Sequence, residues 1–516
     1  MTIFKKPLLG LIIICLTAAI FRLFFFNLIE FKYDEAYTVF QMEQFYMHPY
    51  LMQVGPPQST GVYNPPLFNF LMIILSLFSR SPQYLSFLIA FINVIFAGIF
   101  YLVVRKFYGK FTGVIAGLLL ATSPWNIVFS RKIWIPDLLG PMMVIVFYYL
   151  HQVVLARKEK AVLPLFIFLT LIPQMHASGL FFTAATLLIF LITKTKLNFR
   201  KALIGVGIGL IPATPYIIRQ LTSTPFCVDC VAFFTYQGGA RPFDLENFLR
   251  PFNFLGGFNF QILLGESYPE FLNVLPFGKI LSVLFVGEIL SVIAAAFWIV
   301  KSQIKYLFLV LYLVIIPILY LATKTPAYMH YFVVLSLMVI LLQSLFFKSI
   351  LEVKKNQTTI VLIAALIGIV LAANVIFEIS LIKFLSSKQK INGDYGPVFS
   401  VTQNYIKDQT ESYQTLPDYG LLKSYSYMFA QTKFLHQKLG DYFAQTGRAD
   451  LAISEFQEAL NENNNDKYSR ANLAYIDMQT GKLDDARKEI NLLSAQDSTL
   501  SARLQNILDN INNKTK

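Results

Sequence analysis

The sequence predicts an all-α polytopic membrane protein with a polar helical tail, and three observations carry that expectation. Hydrophobic residues make up 55% of the 516 and charged residues 14%, more apolar surface than a soluble core can bury. Apolar runs of membrane-crossing length recur up to about residue 383, separated by short basic clusters. Near residue 385 the composition turns to Asn, Gln, Asp and Lys. The net charge of +13 comes from the clusters between apolar runs, the positive-inside pattern of a membrane protein, so no nucleic-acid partner is expected.

Taking the basic clusters as cytoplasmic sets the topology. Lys5-Lys6, Arg105-Lys106 with Lys110, Arg157-Lys158 with Lys160, the lysines and arginine from Lys194 to Lys201, Lys301 with Lys305, and Lys348 with Lys354-Lys355 then alternate with outer loops rich in acidic and aromatic residues. About 11 transmembrane helices fit between them, over 7–29, 82–104, 111–130, 138–156, 161–174, 178–193, 202–220, 278–300, 305–322, 330–347 and 358–383. Each is near the length that crosses a hydrocarbon core of roughly 30 Å, or somewhat short of it. The first run ends without a small-residue cleavage site and is expected to be retained as a span. Leu67 to Phe78, between Pro65-Pro66 and Ser79-Arg80, is too short to cross, and counting it would invert every later basic loop. It is expected as an interfacial or re-entrant helix in the first outer loop.

The tail carries a period. Gly440 and Ala474 are 34 apart, as are Gly447 and Gly481, Ala452 and Ala486, and Phe456 and Ile490. Small residues at helix contacts and larger apolar ones at packing positions, at this offset, read as two tetratricopeptide units. Leu500, Leu504 and Leu508 share one face of a terminal capping helix. The expected domains are a membrane domain over 1–384, a connector over 385–429 broken by Gly393, Gly396, Pro397 and Pro417, and the repeats with their cap over 430–516. Such repeats form binding surfaces, so a protein partner at the tail is expected.

Tyr33-Asp34-Glu35 puts two adjacent carboxylates just past the first span, on the outer side of this topology. Outward-facing acids, a few cations and many aromatics suit transfer of a sugar from a lipid-linked phosphate. Phosphate leaves without a general acid, so the protein needs a carboxylate to take the acceptor hydroxyl's proton and cations to hold the phosphate. Asp34 is the expected base and Glu35 its support, or the group that orients the acceptor. Lys32, Arg131, Lys132, Lys324 and His330 are candidates for the phosphate grip. No Gly-rich phosphate cradle lies on the inner side, which disfavours a soluble sugar nucleotide as donor.

These residues also resemble a family, the polyprenyl-phosphate-sugar-dependent glycosyltransferases of the multi-span GT-C fold, in particular the protein O-mannosyltransferase and aminoarabinose-transferase-like group. The matching pieces are Asp34-Glu35 after the first span, Pro65-Pro66-Leu67 on the helix that follows, Ser130-Arg131 through Pro136-Asp137, and His330-Tyr331 at the start of a late span, together covering approximately residues 1 to 350. The resemblance implies a GT-C-like bundle with interfacial helices in the first outer loop and a lipid-linked sugar phosphate as donor. It implies Asp34 as catalytic base, Asp137 as a second active-site acid, and Arg131 with His330 or Tyr331 as contacts to the lipid phosphate. The sequence departs from the family at Asn64, where a His usually precedes the Pro-Pro pair. Asn64 carries no charge, so its part in substrate binding differs from that of the family's His.

Other residues admit structural readings. Asp137 suits the first turn of a helix, Arg22 and Glu288 lie within predicted spans, and His176 is near a span end. Cys227 and Cys230 read as a local disulfide, since a zinc site needs further ligands nearby; no metal site is expected, although a divalent cation at the lipid phosphate stays open. Phe233, Tyr236 and Phe243 are candidates to stack on a sugar ring. The expected location is a bacterial plasma membrane, multi-pass, with active site and tail on the extracytoplasmic side and membrane lipid around the spans. The alternative is a non-catalytic scaffold that recruits partners through the repeats.

Overall fold

Each of the eleven apolar runs folds as helix in the computed structural model, which describes residues 7–58, 62–235, 244–325, 327–353 and 356–515. Lys5, Lys6, Lys354 and Lys355 lie outside the described residues, as do Tyr236, Arg241, Phe243 and the side chain of Phe233. In chain order the helices are α1 Pro7–Arg22, α2 Tyr33–Met47, α3 Leu67–Leu75, α4 Pro82–Tyr108, α5 Lys110–Thr122, α6 Pro124–Val128, α7 Ile135–Val154, α8 Val162–Met175 and α9 Ala177–Ile192. They continue as α10 Phe199–Leu210, α11 Thr214–Thr222, α12 Val228–Thr235, α13 Gln261–Leu264, α14 Tyr268–Val274, α15 Leu281–Ser302, α16 Leu307–Ala322, α17 Val333–Val353 and α18 Gln357–Lys388. The tail adds α19 Phe399–Thr410, α20 Tyr419–Phe429, α21 Leu435–Gln445, α22 Ala449–Glu462, α23 Lys467–Gln479, α24 Leu483–Ser494 and α25 Ser498–Thr515. Among the described residues the only β pairings are isolated bridges.

Seven helical stretches among the described residues are long and apolar enough to cross a membrane. They cover α4, α7, α10 with α11, α15, α16, α17 and α18, each with its flanking turn where one is present. The other four expected spans form shorter helices: α1, α5, α8 and α9 have 16, 13, 14 and 16 residues. The count of about eleven crossings is therefore met by length at seven. The chain is a multi-pass membrane protein. Helix α3 has 9 residues, roughly 14 Å of rise, and is too short to cross.

Local sequence explains the boundaries that matter for the site. Pro82 opens α4 at a position where its missing N–H costs nothing, and Gly109, at φ +99°, closes it. Gly98 lets α1 approach α4: a Cβ there would lie 2.6 Å from Cys15 Sγ and 2.7 Å from Leu11 Cδ1. Arg22, 2% exposed, donates to the carbonyls of Ala121 at 2.8 Å and Leu120 at 2.9 Å. It thereby satisfies the C-terminal end of α5, where the helix dipole favours a cation. That is the packing role open to an arginine at membrane depth.

By internal contacts the chain divides into two units, residues 1–400 and 401–516. In the first, α18 is followed by a return strand-like segment: the Tyr395 hydroxyl donates to Leu28 O at 2.6 Å, the Phe399 amide to Ile29 O at 2.9 Å, and Glu30 bridges Val398. This seam fixes the chain just before α2.

The second unit shows the 34-residue equivalence position by position. Gly447 and Gly481 sit at φ +75° and +80° in equivalent turns, the left-handed conformation glycine adopts freely. Ala452, Ala486 and Phe456 are fully buried, and Ile490 nearly so. Leu504 and Leu508 of α25 close the core built by Ala474, Ala486, Ile490 and Leu493. The connector expected over 385–429 is helical over much of its length. Its buried Tyr413 donates to Glu455, and its Asp418 pairs with Arg448 at 2.8 Å. These contacts attach residues 413–418 to α22 and to the turn that precedes it. Its apolar residues fall at irregular spacing among polar ones, which is why no helix period stood out.

Candidate active site

Segments far apart in sequence converge on one cavity of about 460 Å³. Its walls come from residues 30–38, Pro56 to Gln58 with Asn64, residues 125–136, His176, Ile262-Leu263, Tyr328 to Tyr331, and Asp394. That volume falls in the range of small-ligand pockets.

The carboxylates arrive through a helix start. Lys32 caps α2, and Glu35 reaches back so that its Oε2 accepts the Lys32 amide at 2.9 Å, half of a capping box. Glu35 is 1% exposed, while Asp34, one residue earlier on the turn, opens to the cavity and to solvent. Burial raises the Asp34 pKa above the ordinary carboxylate value, only partly offset by Lys132, Lys32 and a hydrogen bond from the Trp134 side chain. Glu35 is raised too, by burial against the pull of Lys132.

Behind the acids lies an ion network that sequence reading missed. Glu30, 4% exposed, holds Lys132 at 2.7 Å through one oxygen and Lys32 at 2.5 Å through the other. Burial alone would raise its pKa, but the two ammonium groups win and hold it below the usual carboxylate range. Lys132 also reaches Glu35 at 3.3 Å and stands 4.1 Å from the centre of the Trp134 ring. Burial would depress the Lys132 ammonium; Glu30, Glu35 and Asp137 raise its pKa instead. Lys32 additionally meets Asp394 Oδ1 at 3.2 Å. The lining thus carries Glu30, Asp34, Glu35 and Asp394 against Lys32 and Lys132.

Of the predicted site residues, Lys32, Asp34, Glu35, Asn64, Lys132, His330 and Tyr331 line the cavity. Asn64 is committed to its own loop: its amide donates to Pro56 O at 2.9 Å and accepts from Gln58 at 2.7 Å. His330 lies 4.7 Å from Trp134 and 5.3 Å from His176, ring centre to ring centre, and Tyr331 packs against His176 at 4.7 Å. His176 caps α9 through Ser178, and burial pushes its pKa down to about 4, so it is neutral near pH 7.

Three predicted residues are not brought into the cavity. Asp137 is fully buried and its Oδ1 accepts the amides of Arg131 at 2.8 Å and Lys132 at 3.0 Å; this carboxylate shapes the turn that presents Lys132. Arg131 points to the other side of that turn, donating to Phe24 O and stacking over Phe26 at 5.7 Å. Lys324, at φ +52°, is an exposed residue in the turn after α16. A cation just past a helix C-terminus is explained by the dipole there.

The residues missed are Glu30, Trp134, Tyr328 and Asp394. Glu30 had a signal, an acid one step past an apolar run and two before Lys32. Asp394 had none, because only the return of the segment after α18 onto residues 28–30 brings it near. Among the described residues no cluster of three His, Cys, Asp or Glu is arranged to hold a metal ion. Cys227 and Cys230 form a disulfide.

Comparison with known proteins assigns a class to part of the chain. Residues 63–218 match the family model described as dolichyl-phosphate-mannose-protein mannosyltransferase, and residues 443–511 match the tetratricopeptide repeat. The resemblance read from the sequence is borne out over the first stretch and the repeat reading over the second. A search of curated proteins finds no match.

Individual solved structures follow. The chain is similar to the apo oligosaccharyltransferase of Archaeoglobus fulgidus, with TM-score 0.48 and 15% identity over 82% of this chain and 60% of that one. It is similar to ArnT of Cupriavidus metallidurans bound to undecaprenyl phosphate, with TM-score 0.44 and 12% identity over 92% and 77%. The present chain thus spans about 60% of the length of the archaeal oligosaccharyltransferase.

Proposed function

We propose that this chain is an integral membrane glycosyltransferase that moves one sugar from a polyprenyl-phosphate donor to a hydroxyl of a glycan, lipid or protein on the extracytoplasmic face. The observation that carries the reading is Asp34: a carboxylate open to a cavity, raised in pKa by its surroundings, with two lysine side chains in the same wall. The family match over residues 63–218 supports it.

The acceptor oxygen attacks the anomeric carbon as the bond to the phosphate oxygen breaks, and polyprenyl phosphate leaves as an anion. The acceptor's proton passes to Asp34. A single in-line displacement inverts the anomeric centre. Lys132 donates one N–H to Glu30 and forms an ion pair with Glu35 at 3.3 Å, which leaves N–H capacity for a phosphate oxygen; Lys32, less buried, is the second cation of the grip. Four carboxylates against two lysines make the wall net acidic, so the grip depends on these directed hydrogen bonds more than on overall charge.

The test is Asp34→Asn, assayed in membranes supplied with polyprenyl-phosphate sugars. Transfer should fall by about 10²- to 10⁴-fold, the usual worth of a general base, with the protein present at the wild-type level. Wild-type transfer by that variant would end the proposal.

A further inference from the structure

Between α4 and α7 runs a second concave site, whose lining shares no residue with the cavity of Asp34. It is an apolar groove of about 390 Å³ whose walls include Phe96, Ile99 and Val103 of α4 and Ile145 and Tyr148 of α7. Lys106 closes one end. From Lys106 back to Phe96 is ten residues of helix, about 15 Å, half of a hydrocarbon core of roughly 30 Å. The groove therefore has the length of one leaflet.

Its closed end has the marks of the headgroup level. Lys106 lies 4.9 Å from the centre of the Tyr148 ring and 5.6 Å from that of Phe107, and its ammonium donates to the Tyr148 hydroxyl at 3.4 Å. Tyr148 and Tyr149 are ring neighbours there, as in the aromatic belts of membrane proteins. Lys110 follows just past the end of α4. Among the described residues no carboxylate is paired with Lys106 or Lys110, whereas Lys201 and Lys348 each have one. A cation held by rings, with no carboxylate partner among the described residues, at the end of an apolar groove of acyl-chain length complements an anionic headgroup with its chain.

We infer that the α4–α7 groove binds one glycerophospholipid with a net anionic headgroup, its phosphate on Lys106 and an acyl chain along Phe96, Ile99 and Ile145. The site is independent of the sugar-transfer reading. The experiment uses the full chain in nanodiscs of equal phosphatidylglycerol and phosphatidylcholine, followed by native mass spectrometry of the released protein. Wild type should retain one phosphatidylglycerol in preference to phosphatidylcholine. Lys106→Gln should lower that retention by about five-fold, what one lysine near a lipid headgroup is worth, and Lys106→Arg should keep it. Ile145→Trp, which fills the groove and leaves the lysine, should abolish retention of both lipids. Equal retention of the two lipids by wild type, unchanged retention in Lys106→Gln or Ile145→Trp, or loss in Lys106→Arg would each overturn the site.

Discussion

At the scale of single residues, the raised pKa of Asp34 gives the pH profile a sign. On the proposed reading Asp34 works only ionised, so kcat/KM should fall on the acid side, and at a pH above the ordinary aspartate range because burial favours the neutral form. The hydrogen bond from Trp134 pulls the other way by favouring the carboxylate. Trp134→Phe should therefore move the acid limb further up in pH, and a profile displaced downward would contradict the assignment. Glu30 makes a separate prediction. Removing it in Glu30→Ala leaves Lys132 buried with Glu35 as its remaining ion-pair partner, a loss of about 3 kcal/mol or more for a broken buried pair, read as a shorter half-life of the detergent-solubilised protein on heating. Sequence alone grouped Asp34, Glu35 and Lys32 because they are neighbours on one turn, and all three line the cavity. It placed Asp137 and Arg131 in the reacting set because type and compartment matched, while the geometry turns both away from the cavity: one carboxylate oxygen is taken up by two backbone amides, and one guanidinium faces Phe24 and Phe26.

At the scale of elements, the helices were legible because membrane-crossing segments advertise themselves by composition and by the basic clusters between them, although α4 runs past its expected end at 104 to Tyr108. What stayed hidden is how closely they approach. Gly98 reads as an unremarkable small residue, yet α1 and α4 meet there with no room for a methyl group. Gly98→Val should cost about 1–3 kcal/mol through overpacking and lower the yield of folded protein in the membrane, whereas Gly207→Ala, where a Cβ would meet nothing within 4 Å, should leave yield unchanged. In the tail the 34-residue offset predicted two matching units, and the structure adds what the offset did not name, the equal turn geometry of Gly447 and Gly481. The helices of the connector went unseen, since Tyr413, Leu422 and Tyr427 are buried without a regular apolar stripe.

At the scale of the whole molecule, the two units invite separation. Deleting residues 430–516 should leave sugar transfer in isolated membranes at the wild-type level on the proposed reading; transfer undetectable in both forms, with loss of bound partner proteins on deletion, would favour the scaffold alternative. Such a cut spares residues 28–32 and 389–399, where the seam lies. A chain stopped at 384 would lack Asp394 and Tyr395, and with them the anchor of the segment that leads into α2. Since the ribosome delivers these residues after the membrane helices, the pocket gains Asp394 only when the last of those helices has already emerged. On the proposed reading, a chain still in synthesis then transfers no sugar until the bundle has closed on itself.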